Sequence, residues 1–261
     1  MPSVAWLLTV CVLIAFGCGA AQGQAVQQPL PDDPLPIAVV IGDSIAEGHP
    51  GLHGRLHAGE KGAFDPNWPD QSGQLAYHLQ QLVPRYRWYN HGIGSQTTVD
   101  LRARWRRDVI GEEYDPGDGR GARTLPCAAS LVVIVCGIND IARPIPNETI
   151  QANMRRMAKS ARRNTVKAIF LTVRPREESS DAEIERIREL DQWMCDTLPT
   201  FGAEVVDWMG WQEDAGRPGR LRRELLIDTV HPSRAGYAAL ARYLAQQAPG
   251  LRKPASPEKA G

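Results

Sequence analysis

The stretch IAVVIGDSIAEGHP, residues 37–50, decides how the chain is read. Ile37 to Gly42 are apolar or small without a break, and they run directly into an acid and a hydroxyl, Asp43 and Ser44. An apolar run with no alternation suits a strand buried on both faces, as in a parallel sheet covered by helices. Stopping that run on Asp43 and Ser44 puts a hydroxyl beyond the carboxyl end of a strand, where open α/β sheets gather their ligands.

Outward from this stretch, apolar runs alternate with amphipathic segments. Residues 73–83 read as a helix, 86–93 as a strand, 98–110 as a helix, 131–137 as a strand, 148–163 as a helix and 166–173 as a strand. A helix over 181–198, a short strand over 203–208 and a last helix over 233–248 follow. Strands apolar on both sides and separated by helices predict an α/β domain, its parallel sheet covered by helices on each side. The domain is expected over 37–249, behind a linker over 26–36 that contains PLPDDPLP, and residues 250–261 read as a flexible tail. Two long loops, around 46–71 and 111–126, are read as binding loops.

The 261 residues carry 30 Lys+Arg against 30 Asp+Glu, and 43% are hydrophobic, enough for a sizeable core in one domain. A formal net charge of zero gives no long-range pull toward phosphate backbones, so nucleic acid is not an expected partner. The cluster Arg102, Arg104, Arg106 and Arg107 reads as a solvated helix face. Residues 1–25 hold no charged side chain, and their apolar stretch, about 5–16, is followed by small residues. That pattern reads as a secretory signal, too short for a membrane span of about 20 apolar residues. Cys18 after Ala15-Phe16-Gly17 resembles a lipoprotein processing site. The expected location is therefore secreted, periplasmic or cell envelope, with membrane contact only through a lipid anchor or an uncleaved signal. Cys127, Cys136 and Cys195 are odd in number and lack a C-x-x-C pair, so neither a disulfide framework nor a zinc site is expected. Cys136, inside an apolar run, reads as a small buried hydrophobe.

Polar groups concentrate where the strands end. Asp43-Ser44 follow the first, Asn90-His91-Gly92-Ile93-Gly94-Ser95 the second and Gly137-Ile138-Asn139-Asp140 the third, while Asp228 stands three residues ahead of His231 before the last helix. Acyl transfer needs a nucleophile, a base, a group that orients the base and donors for an oxyanion. Ser44 can be the nucleophile and His231 the base, since imidazole titrates near neutrality. Asp228 would hold His231 in the required tautomer. The backbone N–H of Ser44, a backbone N–H in the Gly94-Ser95 turn and the Asn139 amide would receive the oxyanion. No cofactor and no metal is called for.

These segments together resemble the SGNH, or GDSL-type, hydrolase superfamily, with IGDSI as its first block, NHGIGSQTT its second, GIND its third and DTVHPS its last. The resemblance covers about 37–245, with the blocks in family order. It implies a flavodoxin-like three-layer α/β/α sandwich and metal-free ester hydrolysis. It also implies that Ser44 is the nucleophile, Asn139 an oxyanion donor, and Asp228 with His231 the acid and base. One position departs: the family's oxyanion Gly stands five residues after the Asn, where this chain has Ser95, with Gly94 one earlier. Ser keeps the backbone N–H, but a turn that needs positive φ suits Gly better.

Plainer readings exist for each segment. Asp43-Ser44 can cap a helix, Asn139-Asp140 can close a turn, and Asp228 and His231 can be a cap and a surface histidine. His49, His53 and His57 are spaced by four, but Pro50, Gly51 and Gly54 oppose a helix there, so they read as a loop near Ser44 rather than as metal ligands. Trp88, Trp105, Trp193, Trp208 and Trp211 read as buried aromatics, and Trp68 as a candidate sugar platform in the long loop. Asn147-Glu148-Thr149 fits a glycosylation acceptor. A G-x-G-x-x-G turn is missing, which excludes a dinucleotide site, and a G-x-S-x-G elbow is missing around Ser44. The expectation is an exported serine esterase acting on short acyl esters, such as acetyl groups, of carbohydrates or small molecules. An O-acetyltransferase on polysaccharide and a non-catalytic carbohydrate-binding module on the same scaffold are the alternatives.

Overall fold

Every residue of strand β1, Ile37–Gly42, is buried. The computed structural model describes residues 35–48, 72–119 and 121–252. Strand β1 pairs on one side with β2, Arg87–Gly92, and on the other with β3, Leu131–Val135. Strands β4, Lys167–Leu171, and β5, Glu204–Val206, extend the β3 edge, so the order is β2-β1-β3-β4-β5 with all pairs parallel. Strand β3, like β1, is buried throughout. Each Val or Ile held this way contributes roughly 1.5–3 kcal/mol over its exposed state, which is why unbroken apolar runs settle in the middle of a covered sheet.

The helices are α1, Ser44–Glu47; α2, Leu75–Leu82; α3, Thr98–Asp108; α4, Ile138–Ala142; α5, Asn147–Arg163; α6, Asp181–Thr197; α7, Trp208–Gln212; and α8, Arg234–Gln247. Helices α2 and α8 pack together on one face of the sheet, and α3, α5 and α6 pack in series on the other. The result is the flavodoxin-like three-layer α/β/α sandwich. Local sequence sets several helix starts. Ser180 and Glu183 form a reciprocal capping box at α6 (Ser180 N–H to Glu183 Oε2 2.8 Å, Glu183 N–H to Ser180 Oγ 3.2 Å), and Ser233 Oγ accepts the Gly236 N–H at α8. Among the described residues no helix is long and apolar enough to cross a membrane.

The order of strands reverses at β1, so the ends of β1, β2 and β3 face one crevice. Two glycines allow neighbouring backbone to approach closely there. A Cβ on Gly42 would lie 2.1 Å from the Val135 carbonyl oxygen, and one on Gly92 would lie 1.9 Å from the Glu47 nitrogen. Both are backbone contacts that cannot give way.

The structure departs from the sequence reading in four places. The segment after α7 forms a two-stranded antiparallel hairpin, β6, Glu213–Asp214, and β7, Arg217–Leu221, which the Arg-rich, Pro- and Gly-containing sequence concealed. At the end of the described residues, Pro249–Leu251 form a 3-10 turn with Leu251 buried, and Arg85 donates to the Gly250 and Arg252 carbonyls, so residues 250–252 pack with the domain. The basic cluster on α3 is solvated only in part: Arg102 and Arg106 are exposed, but Arg104 and Arg107 are buried in ion pairs with Asp108. The Asn147 side chain is bonded on both atoms to Arg186, which speaks against a glycan acceptor. Trp88, Trp105 and Trp208 are core residues, and Cys136 is buried while Cys127 and Cys195 are exposed and free. His49, His53, His57 and Trp68 lie outside the described residues.

Gly42→Ala is expected to lower stability by roughly 1–3 kcal/mol, the usual range for forcing an extra methyl into packed structure. Urea unfolding checks this, and a wild-type midpoint would show that the strand end relaxes freely.

Candidate active site

Asp43 and Ser44 divide two jobs. Asp43 Oδ1 accepts the Ile45 N–H at 2.9 Å and caps α1, so the plain capping reading holds for this residue. The cap turns the chain at the end of β1 and makes Ser44 the first residue of α1, where a backbone N–H has no intrahelical acceptor. Tyr237 on α8 donates its hydroxyl to the Ile45 carbonyl at 2.9 Å and fixes the short helix from the far layer.

The Asp228-x-x-His231 spacing is a local device. Asp228 Oδ1 accepts the N–H groups of Val230 at 2.8 Å and His231 at 2.6 Å, folding the loop around its own carboxylate. That leaves Oδ2 to take His231 Nδ1–H at 2.7 Å. With the proton held at Nδ1, Nε2 is the acceptor, and it lies 2.9 Å from Ser44 Oγ. The loop is closed by the Ile227 N–H bond to the His231 carbonyl, and Glu177 N–H donates to the Thr229 carbonyl from the segment after β4. Burial raises the Asp228 carboxyl, but the two backbone N–H groups and the imidazole outweigh it and draw it down to about 2. It therefore stays ionised beside the imidazole throughout the neutral range.

The oxyanion candidates also converge. A Cβ at Gly94 would lie 3.8 Å from Ser44 Cβ, which puts the second block beside the first. Ser95, not Gly94, takes the left-handed conformation, with φ +63°. Asn139 Nδ2 donates to the Gln96 carbonyl at 3.0 Å, leaving its other amide hydrogen for a ligand. Asp140, fully buried, receives the Thr98 N–H at 3.1 and 3.0 Å and the Thr98 hydroxyl at 2.6 Å. It thus ties the third block to the first turn of α3.

No curated protein sequence matches the chain. The sequence model of the GDSL-like Lipase/Acylhydrolase family matches residues 40–239. The chain belongs to that family. It is a serine ester hydrolase. Among solved structures, an acetylxylan esterase from Geobacillus stearothermophilus, Axe2, is 22% identical with a TM-score of 0.61, covering 82% of this chain and 94% of its own. The LAE5 hydrolase from the metagenome of Lake Arreo, Spain, is 22% identical with a TM-score of 0.58, covering 84% and 98%. A Desulfitobacterium hafniense DCB-2 protein assigned to the lipolytic G-D-S-L family is 23% identical with a TM-score of 0.59, covering 81% and 98%. At such identities the likeness establishes the fold.

Some residues around this GDSL-family site have roles that the sequence reading did not assign. Asn90 reaches from β2 to the Glu47 carbonyl at 2.9 Å and accepts the Gly92 N–H at 2.9 Å, joining the first two blocks. Arg174, after β4, is buried with its guanidinium 4.5 Å from the Trp208 ring centre and bonds Gln212 Oε1 at 3.2 Å. Burial lowers it to about 10, against the pull of Tyr237, Asp43 and Asp228. Arg174 and Asp43 line a small cavity behind the serine with Ile45, Cys136 and Val173. Burial pushes Asp43 up to about 7, against the Ile45 N–H and the Arg174 charge.

Two expectations follow for this site. A left-handed non-glycine residue costs roughly 1–2 kcal/mol, and glycine's extra freedom in the unfolded chain offsets about 0.4–1 kcal/mol, so Ser95→Gly should gain up to about 1 kcal/mol. Denaturant titration reads this directly, and a loss of stability would mean that the Ser95 side chain makes the turn rather than merely tolerating it. Asp43 holds its proton to a higher pH in the folded protein than in the unfolded chain. Its contribution therefore weakens stability as pH rises from about 4 to about 7 and is constant beyond. Asp43→Asn, which keeps the cap acceptor, should flatten that fall in an unfolding series against pH. Equal slopes in the two proteins would refute the assignment.

Proposed function

We propose that the protein is an exported serine esterase that cleaves short acyl esters, acetyl above all, from carbohydrates or small alcohols through an acyl-enzyme. The single observation that carries this is the continuous chain from Asp228 Oδ2 through His231 to Ser44 Oγ, with links of 2.7 and 2.9 Å. Ser44 Oγ bonds to the ester carbonyl carbon as His231 Nε2 takes the hydroxyl proton, and Asp228 stabilises the imidazolium. The oxyanion is received by the Ser44 N–H, the N–H of Ser95 or Gly94, and Asn139 Nδ2; each donor typically lowers the barrier by about 2.7–4 kcal/mol. Collapse breaks the bond to the alcohol, which leaves with the proton from His231. Water, deprotonated by the same imidazole, then attacks the acyl-enzyme and releases the acid.

Export is supported by the uncharged apolar stretch within residues 1–25. The acetyl-carbohydrate reading is supported by the shared fold of an acetylxylan esterase and by a neutral overall charge, which suits an uncharged polymer. A working site rather than a non-catalytic module is supported by Ser95, which keeps the backbone N–H and takes a left-handed conformation in the turn.

In a host expressing the full chain, hydrolysis of short-chain nitrophenyl esters is expected in the envelope or medium fraction. Ser44→Ala should reduce kcat by at least about 10³-fold, as for nucleophile deletions generally. Rates should fall as the acyl chain lengthens, and acetate should be released from acetylated xylan. Equal rates for wild type and Ser44→Ala would sink the proposal, while a preference for long acyl chains would overturn the substrate class alone. Transfer of the acyl group to an added polysaccharide would replace hydrolysis by acyl transfer.

A further inference from the structure

We infer that Arg104 is a positioning residue for the reaction, a buried fork that sets the distance between the nucleophile and the oxyanion turn; this rests on the esterase reading of the site. Its side chain is only 2% exposed, although it sits on α3 among charged residues that suggest a solvent face. Three of its N–H groups point to three separate parts of the fold. Nη2 donates to the Gly42 carbonyl at 3.1 Å, Nε to Gln96 Oε1 at 2.7 Å and Nη1 to Asp108 Oδ2 at 2.6 Å.

The first two partners give the clamp its meaning. Gly42 is the last residue of β1, and the chain beyond it is Asp43 and then Ser44. Gln96 directly follows Ser95, and its carbonyl accepts the Asn139 amide at 3.0 Å. One planar guanidinium therefore spans the end of the nucleophile strand and the turn that carries both the backbone donor and the support of the side-chain donor. A guanidinium is rigid and presents its donors in a fixed plane, so it transmits geometry in a way that an ammonium on a flexible stem does not.

The third partner is the anchor. Asp108 also receives Arg107 Nε at 2.6 Å and the Thr124 hydroxyl at 2.8 Å, and its backbone carbonyl bonds His91 Nδ1 on β2 at 2.8 Å. Arg107 in turn holds Asp118 through both Nη atoms at 2.7 Å. Two guanidinium and two carboxylate groups thus balance their charges, with Arg104, Arg107 and Asp108 buried and Asp118 at the surface. A buried ion pair alone is weak evidence for anything beyond stability. What sets Arg104 apart is that two of its other donors leave the cluster and end on the two elements that must hold their spacing for the oxyanion to be met.

Gln96 lets the clamp be opened without touching the ion pair. Gln96→Ala removes the Nε acceptor and should lower kcat by about 10- to 100-fold with KM within about three-fold, because a displacement near 1 Å can have an effect of that size on a positioned transition state. Gln96→Glu restores an acceptor for the guanidinium and should recover most of the rate. Arg104→Lys, which keeps the charge but loses the fork, should fall in kcat with Gln96→Ala. A purely structural role predicts instead lower stability with wild-type kcat in the folded fraction. Backbone amide exchange provides a readout that needs no substrate: residues 94–98 should exchange faster in Gln96→Ala while 101–107 of α3 stay protected. Wild-type kcat in Gln96→Ala, or unchanged exchange over 94–98, overturns the clamp. If the wild-type protein hydrolyses no ester, the esterase reading fails by itself and the exchange experiment still decides the clamp.

Discussion

A 2.9 Å contact between side chains 187 positions apart, Ser44 Oγ and His231 Nε2, is the constraint on which the arrangement depends. It is met because the strand order turns back at β1, which brings the ends of three strands to one crevice and lets the loop before α8 reach across it. Neither partner is free to search. Ser44 is held by the Asp43 cap beneath it and by Tyr237 through the Ile45 carbonyl, while His231 is held by the two bonds that Asp228 makes to its backbone and ring. Side chains fixed from two directions lose little further freedom when a substrate binds, and a reacting pair is valuable to the extent that its geometry is already set.

The buried carboxylates around this crevice divide by their partners. Asp108, met by guanidinium groups, lies well below the ordinary range despite its burial, while Asp43 is pushed up to about 7 and Asp191 to about 8, their desolvation answered mainly by a single backbone N–H each. Asp140 is likewise raised by burial, even with three donor contacts from Thr98. A full opposite charge can offset the loss of water around a carboxylate, and a neutral donor offsets only part of it. Asp108 on α3 has its charge met by guanidinium groups, whereas Asp43, Asp140 and Asp191 are compensated only in part.

Much of the fold was legible in the residues. The apolar runs read at 37–42, 131–137 and 166–173 became strands β1, β3 and β4, buried except at Lys167, and the amphipathic segments became helices within a few residues of the expected ends. Of the four polar segments, three end strands and the fourth, at 228–231, precedes α8; His231 Nε2 stands 2.9 Å from Ser44 Oγ. What misled was charge. Arg104 and Arg107 were expected to face water with Arg102 and Arg106, because a sequence window does not display Asp118 folding back from a loop or the Gly42 carbonyl arriving from another layer. The Arg217–Leu221 strand was hidden in the same way, since its register comes from pairing with Glu213–Asp214 and its Arg217 is answered by Glu177 and Asp214.

By itself the sequence determined the order of elements, the caps and the residue types at each strand end, since hydrophobic periodicity and capping act over a few neighbouring positions. Which of two residues would take the left-handed turn, how far the imidazole stands from the hydroxyl and whether a guanidinium is buried were decided only by the tertiary structure. Each of those depends on the solvent exclusion and the partner groups that distant segments supply, and such groups come together only once the sheet has closed its strand order around β1.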